Sequence, residues 1–211
     1  QPVTGTIGTN EYKDFYFTAS AGQSLIVEVT PLSGSNALWV FSRLGDLPLW
    51  TRYDLRTQQL TPRGTYELLL SPTQDGTYFF SIYGRAVAVN GGNYRIVVST
   101  ADHYLSDVMP HSAGNAGGAT LTLSGLGFVD GMSVQFRRAG SPTLTADQVT
   151  RASPTTLWAR FNLTGTVTGL YDVYAIWPDT QQASLTGAFT ITQGIGPHLD
   201  VHLVAPDSVR P

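Results

Sequence analysis

The chain has 211 residues, of which 42% are hydrophobic and only 13% are charged, and its formal net charge is −3. This balance excludes a disordered chain, and neither nucleic acid nor membrane insertion is expected, because the sequence has no run of lysine and arginine and no segment of ~20 apolar residues. The absence of cysteine excludes disulfides, thiolate catalysis and cysteine-ligated metal centres.

Residues 3–100 contain short runs in which apolar residues recur with a period of two. In the second run, Leu25, Val27 and Val29 share one face of an extended strand. Glu28 lies on the opposite face and is predicted to point into solvent. Glycine-containing turns separate the runs, and several short strands at this spacing predict a β-sandwich. The runs are DFYFTA, SLIVEVT, NALWVFSR, TYELLLS, TYFFSIY and NYRIVVST.

One of these runs, within DGTYFFSIYG at residues 75–84, has large side chains on both faces. Alternation sends Tyr78, Phe80 and Ile82 to one face, which is predicted to lie in the core. Phe79 and Tyr83 then lie on the opposite face. These two rings are predicted either to be covered by another layer or domain of the protein or to contact a ligand.

After Thr100 the same alternation continues in a glycine-rich form, and no helical run of ten residues appears. A second sandwich of about 90 residues is predicted, joined to the first by the short segment STADH. The predicted fold is therefore all-β, with two tandem antiparallel β-sandwich domains at residues 1–101 and 102–193. Residues 194–211 are interpreted as a linker and the first strand of a truncated further domain. The second set of runs is HYLSDVMP, GATLTLSG, MSVQFRR, TTLWARFN, GLYDVYAIWP and GAFTIT.

Three stretches of the first half resemble the bacterial pre-peptidase C-terminal domain, a module appended to secreted proteases and collagenases. They are GTIGTNEYKDFYFTASAGQSLIVEV, NALWVF and DGTYFFSIYG. The resemblance covers residues 3–100 and implies a jelly-roll-like sandwich. In the collagenase modules, aromatic residues on a sheet surface bind collagen, so the resemblance also implies a binding role.

The second half resembles an IPT/TIG domain, the immunoglobulin-like module of surface receptors and bacterial adhesins. The resemblance rests on VMPHSAGNAGGATLTLSGLGFVDGMSVQF, and GLYDVYAIWP and GAFTIT fit the closing strands. Together the two resemblances imply a segment of a larger bacterial protein that is secreted or attached to the cell surface.

Four aromatic side chains of the first half are the predicted ligand-binding residues: Trp39, Phe41, Phe79 and Tyr83. If their two strands belong to one sheet, the rings form one patch that could stack on sugars or on an extended polypeptide. The alternative is that the patch packs under loops or against a neighbouring domain.

Asn10, Glu11 and Asp14 form the densest group of oxygen ligands, which makes them the candidate calcium site. Some pre-peptidase-type domains bind calcium, but those relatives use an acidic stretch just before the first strand that this sequence does not include. No other cofactor is expected.

The segment PHLDVHL places His198, Asp200 and His202 on one face of a strand, and these side chains are suitable zinc ligands. Same-face positions stand nearly 7 Å apart along a strand. This spacing favours a solvated strand face over a zinc site.

Catalytic motifs are missing from the sequence. There is no Gly-x-Ser-x-Gly motif, and Lys13, the only lysine, does not form a Ser-x-x-Lys pair. A glycosidase-type carboxylate pair is not excluded by the sequence, but the chain has only three glutamates. The protein is therefore predicted not to be an enzyme. The glutamates are Glu11, Glu28 and Glu67.

Two functions remain open. The first is a non-catalytic accessory segment that binds an extracellular polysaccharide or protein surface through the aromatic positions of the first half. The second is a structural spacer that positions the adjacent domains of the same polypeptide. A contiguous exposed aromatic patch favours binding, whereas burial of those rings favours the spacer.

Overall fold

The structure is a computed structural model, and it describes residues 1–32, 37–87 and 91–194. These residues form seventeen β-strands and no helix, so the predicted all-β sandwich fold is confirmed. Among them there is consequently no helix long and apolar enough to cross a membrane.

The first half contains eight strands in two four-stranded sheets, the number and arrangement of a jelly roll. Sheet I has the order β1-β8-β3-β6 and sheet II the order β2-β7-β4-β5, all in antiparallel pairs. The strands are β1 (Val3–Ile7), β2 (Tyr12–Ala19), β3 (Leu25–Pro31), β4 (Ala37–Leu44), β5 (Leu55–Thr57), β6 (Tyr66–Leu70), β7 (Gly76–Ala86) and β8 (Gly92–Thr100).

The second half contains nine strands in a four-stranded and a five-stranded sheet. Sheet III has the order β14-β15-β11-β9, and sheet IV has the order β10-β17-β16-β12-β13. The strands are β9 (Tyr104–Met109), β10 (Ser112–Gly114), β11 (Gly118–Leu126), β12 (Ser133–Arg137), β13 (Leu144–Thr145), β14 (Gln148–Ser153), β15 (Thr156–Asn162), β16 (Gly169–Ile176) and β17 (Gln182–Thr192).

Buried apolar side chains form two separate clusters, one in each half. In the first cluster, Phe80 stacks on Phe15 of the neighbouring strand at 5.2 Å between ring centroids. In the second, Phe136 stacks on Phe161 at 4.1 Å and on Phe189 at 4.5 Å. Each cluster lies between the two sheets of its half, as alternation along the strands requires.

The strand predictions hold for every run with clear alternation, and Tyr78, Phe80 and Ile82 are buried as expected. The sequence did not indicate the short strands β5, β10 and β13 or the edge strands β1 and β14. One pair also departs from the predicted antiparallel pattern, because β10 lies parallel to β17. Glu28 is half-buried rather than fully exposed, and it lies opposite Glu67 in the register of β3 and β6.

The segment that joins the two halves packs against the second one. His103 meets the indole of Trp177 edge-on, with ring centroids 4.8 Å apart. Trp177 Nε1 donates a hydrogen bond to the carbonyl oxygen of Gly127 at 2.6 Å. Gly127 has a φ of 71°, and a Cβ at this position would overlap the carbonyl oxygen of Asp102. The backbone of the joint therefore runs directly over a glycine that no other residue can replace without strain.

A buried carboxylate in the first half also forms hydrogen bonds with the second half. Glu67 on β6 is 7% exposed and accepts hydrogen bonds from the hydroxyls of Ser106 at 2.6 Å and Tyr104 at 2.9 Å. Arg63 donates to the carbonyl oxygen of Leu105 at 2.8 Å and lies over the Tyr104 ring. Burial, together with the nearby negative charge of Glu67, raises the pKa of Tyr104 above its ordinary value. Tyr104 thus stays a neutral hydroxyl donor at physiological pH.

Candidate functional site

The outer face of sheet II carries aromatic side chains on three neighbouring strands. Tyr12 on β2, Tyr83 on β7 and Trp39 on β4 are cross-strand partners and form one row. Tyr16 and Phe79 form a second row with their ring centroids 6.1 Å apart. The predicted condition that the two strands share a sheet is therefore met.

The four predicted binding residues do not have equal access to solvent. Trp39, Phe79 and Tyr83 are half-buried, whereas Phe41 is only 1% exposed. The prediction that Phe41 belongs to an exposed patch is wrong, because a loop covers its ring. For Phe41, the alternative prediction of packing under a loop is the correct one.

The covering loop is residues 45–54, between β4 and β5. Trp50 stacks on Trp39 with ring centroids 4.3 Å apart and an angle of 22° between the planes. Trp50 and Tyr53 also contact Phe41, at 5.9 and 5.5 Å between centroids. The carboxylate of Asp54 accepts a hydrogen bond from the Leu44 backbone N–H at 2.8 Å, which holds the end of the loop against β4.

Four other rings on this face are exposed, and the sequence did not indicate them as binding residues. Their exposed fractions are 73% for Tyr16, 45% for Trp50, 43% for Tyr12 and 36% for Tyr53. Tyr12 and Tyr16 continue the alternation of β2, so that strand's outer face was a usable signal. Trp50 and Tyr53 lie in a loop without periodicity. Their only signal was the presence of large rings in a segment rich in turn residues.

Between β2 and the covering loop lies an open groove of about 480 Å³. One wall is formed by Tyr12 and Asp14, and the other by loop residues 47–51 with Trp50. Large exposed apolar side chains, including Leu47 and Leu49, border it. A concave, mostly apolar groove with a single charged side chain is the usual form of a binding site.

Hydrogen bonds fix Asp14 in the groove and Tyr83 beside it. Tyr83 donates its hydroxyl to Asn10 Oδ1 at 2.7 Å, and Ser81 donates to Asp14 Oδ1 at 2.5 Å. Tyr12 lies 4.7 Å from Tyr83 between ring centroids. The pKa of Tyr12 is raised by partial burial first, and then by the negative charges that Tyr83 and Asp14 carry when ionised. The Asp14 carboxylate is therefore close enough to Tyr12, which forms part of the groove wall, to raise the pKa of its hydroxyl.

The three predicted calcium ligands have separate roles. Asn10 accepts the Tyr83 hydrogen bond, and Asp14 accepts the one from Ser81. Glu11 pairs with Lys13 at 2.5 Å and accepts the backbone N–H of Gly8 at 2.6 Å, and these contacts lower its pKa. Asp14 faces outward on β2, whereas Glu11 pairs with Lys13, whose side chain lies on the inward face of the same strand.

The described ranges contain no group of three or more His, Cys, Asp or Glu side chains that could hold a metal ion. The predicted zinc ligands His198, Asp200 and His202 lie outside the described residues.

The two histidines near the joint each contact one aspartate. His111 Nε2 lies 2.8 Å from Asp107 Oδ1, and His103 Nε2 lies 3.6 Å from Asp179 Oδ2. Neither histidine shares a hydrogen bond with a serine hydroxyl in the part of the chain that the structure describes. The arrangement needed to activate a serine nucleophile is thus not formed around either of them.

No family model matches the chain, and no curated protein matches it. Among solved structures it is similar to PliG of Aeromonas hydrophila, a periplasmic inhibitor of g-type lysozyme, with 20% sequence identity and a TM-score of 0.37. That similarity covers 48% of this chain and 85% of PliG. At this level the likeness does not bear on function.

Proposed function

We propose that the chain is a non-catalytic accessory segment of a larger bacterial protein, secreted or attached to the cell surface, which binds an extracellular polymer through the outer face of sheet II. The observation that carries the proposal is the groove between Tyr12 and Trp50. In this proposal Trp39 and Tyr83 support those two rings from below. The chain would comprise two domains, residues 1–101 and 102–193.

The physical case rests on rings that are both exposed and fixed in position. Trp50 stacks on Trp39, and Tyr12 packs against Tyr83, whose hydroxyl is hydrogen-bonded. A ligand that contacts such rings gains a large contact area while little side-chain entropy is lost. Exposed aromatic residues held in this way are typical of surfaces that bind polymers.

The resemblances of the two halves support the same function. The eight-stranded arrangement of the first half is compatible with the jelly-roll-like sandwich of pre-peptidase C-terminal domains. The second half would then serve as an IPT/TIG-like module beside it, as in multidomain surface proteins. Both family assignments, and the location outside the cytoplasm, are part of the proposal.

The substitution Trp50→Ala tests the proposal. The intact chain is expected to sediment with at least one of chitin, cellulose and fibrillar collagen. Trp50→Ala should weaken that binding about fivefold or more, because the truncation of an aromatic hot-spot residue costs more than about 1 kcal/mol. Sedimentation isotherms with each polymer provide the measurement.

Trp158→Ala is the matched control, since Trp158 is similarly exposed at 49% but lies on sheet III in the second half. It should bind the polymer as the intact chain does. If Trp50→Ala and Trp158→Ala bind alike, the groove is not the binding site.

A structural spacer is the second candidate function, and the joint favours it. Glu67, Arg63 and Tyr104 make polar contacts between the halves, and Asp102 packs over Gly127. A short joint with such contacts would hold neighbouring modules at a set distance. Failure of the chain to bind any of the three polymers would favour this function.

A further inference from the structure

We propose that the groove binds the basic side chain of an extended polypeptide, a lysine or arginine whose cationic group reaches Asp14 between Tyr12 and Trp50. This inference rests on the proposed function and narrows its ligand from any polymer to a protein that presents basic residues.

The charge of the groove is the first argument. Asp14 is the one charged side chain among the residues that line it. Its carboxylate accepts one hydrogen bond, from Ser81, and forms no ion pair with any residue in the described ranges. An exposed carboxylate beside apolar walls attracts a cation, because the walls limit the solvation that would otherwise screen it.

The rings supply a second, independent attraction for a cation. The negative face of an aromatic ring attracts ammonium and guanidinium groups. The chain already uses this contact nearby, since Arg56 and Arg85 lie 5.8 and 5.9 Å from the centroid of the Trp39 ring. No such cation lies over Tyr12 or Trp50 in the described part of the chain.

Four basic groups on or near this face already have partners, and Arg52 of the covering loop forms no ion pair with a described residue and does not line the groove. Lys13 pairs with Glu11, and Arg43 donates to Asp46 at 2.8 Å. Arg56 and Arg85 contact the ring of Trp39 and are not among the residues that line the groove. The negative charge of the groove is therefore not neutralised from within the described chain.

The apolar wall favours a polypeptide over a sugar. Leu47, Pro48 and Leu49 line the groove opposite Asp14. The methylene stem of lysine or arginine can pack along such a wall while its charged end reaches a carboxylate. A neutral sugar would leave the carboxylate charge unbalanced. An amino sugar has no comparable apolar stem.

The test uses a pair of peptides that differ only in charge. One is an acetylated peptide of alternating arginine and serine, and the other carries citrulline, a neutral isostere, in place of arginine. The arginine peptide should bind the intact chain at least about fivefold more tightly than the citrulline peptide. Asp14→Asn should remove most of that preference while the melting temperature stays unchanged. Tryptophan fluorescence titration at low and high salt measures both effects.

The outcomes separate this inference from the proposed function. Equal binding of the two peptides, or no effect of Asp14→Asn, overturns the inference. If at the same time Trp50→Ala still weakens polymer binding, the proposed function stands without it. Tighter binding of glucosamine oligomers than of the arginine peptide also overturns the choice of a polypeptide. If Trp50→Ala changes nothing, both the inference and the proposed function are wrong.

Discussion

Gly127→Ala should lower the free energy of unfolding of the second half by about 2–4 kcal/mol, because the substitution imposes two separate costs. The φ of 71° is unfavourable for a residue with a Cβ, and the new methyl group would overlap the carbonyl oxygen of Asp102. For a unit of about 90 residues this corresponds to a fall of roughly 10–20 °C in melting temperature. Differential scanning calorimetry measures the change.

Gly140→Ala is the matched control for this experiment. Gly140 lies in the same half with a φ of 75°, but a Cβ there would meet nothing within 4 Å. Its substitution should cost only the backbone term, about 1 kcal/mol. Equal losses in the two variants would mean that the contact with Asp102 does not constrain the joint.

Glu67→Ala should destabilise the joint between the two halves by about 2–3 kcal/mol. The substitution leaves the hydroxyl donors of Thr65, Ser106 and Tyr104 without their acceptor, and Thr65 and Ser106 are buried. It also removes the carboxylate that accepts the Tyr104 hydroxyl, to which Arg63 donates from the other side. The halves are then expected to melt in two separate calorimetric transitions instead of a coupled one, and small-angle scattering should show a larger radius of gyration.

Glu28→Ala controls for the general effect of losing a glutamate from sheet I. Glu28 lies opposite Glu67 on the neighbouring strand, but its carboxylate accepts a hydrogen bond from Thr30 of the same strand. Its substitution should change stability by less than about 0.5 kcal/mol and leave the scattering profile unaltered. A loss as large as that of Glu67→Ala would contradict the special role of Glu67.

The strands were predictable because their signal is local. Tyr78, Phe80 and Ile82 alternate with Phe79, Ser81 and Tyr83, and a half-buried sheet turns that alternation into an inner and an outer face. The inward residues of β3 and β4 follow the same rule, but Ile26 and Phe41 are buried although alternation places them on the outer faces. Short strands such as β5 and β13 have too few residues to show a period of two. They are defined only by their hydrogen bonds to the neighbouring strands β4 and β12.

The groove was only partly predictable because its second wall comes from a loop. The alternation of β4 correctly places Trp39 and Phe41 on the outer face, but it cannot show that Trp50 and Tyr53 return over that face. Such a return depends on contacts between residues distant along the chain. The same limit applies to Glu67, which alternation places on the outside of sheet I, where the second half then buries it.

The stack of Trp39 on Trp50 makes the covering loop visible by spectroscopy. Two indoles 4.3 Å apart and inclined by 22° have transition dipoles close enough to couple, so the pair acts as an exciton chromophore within the unlabelled protein. Its circular dichroism couplet depends on both rings keeping that geometry. Any ligand that lifts residues 45–54 from sheet II would remove the couplet, whereas one that enters the groove beside the loop would leave it in place.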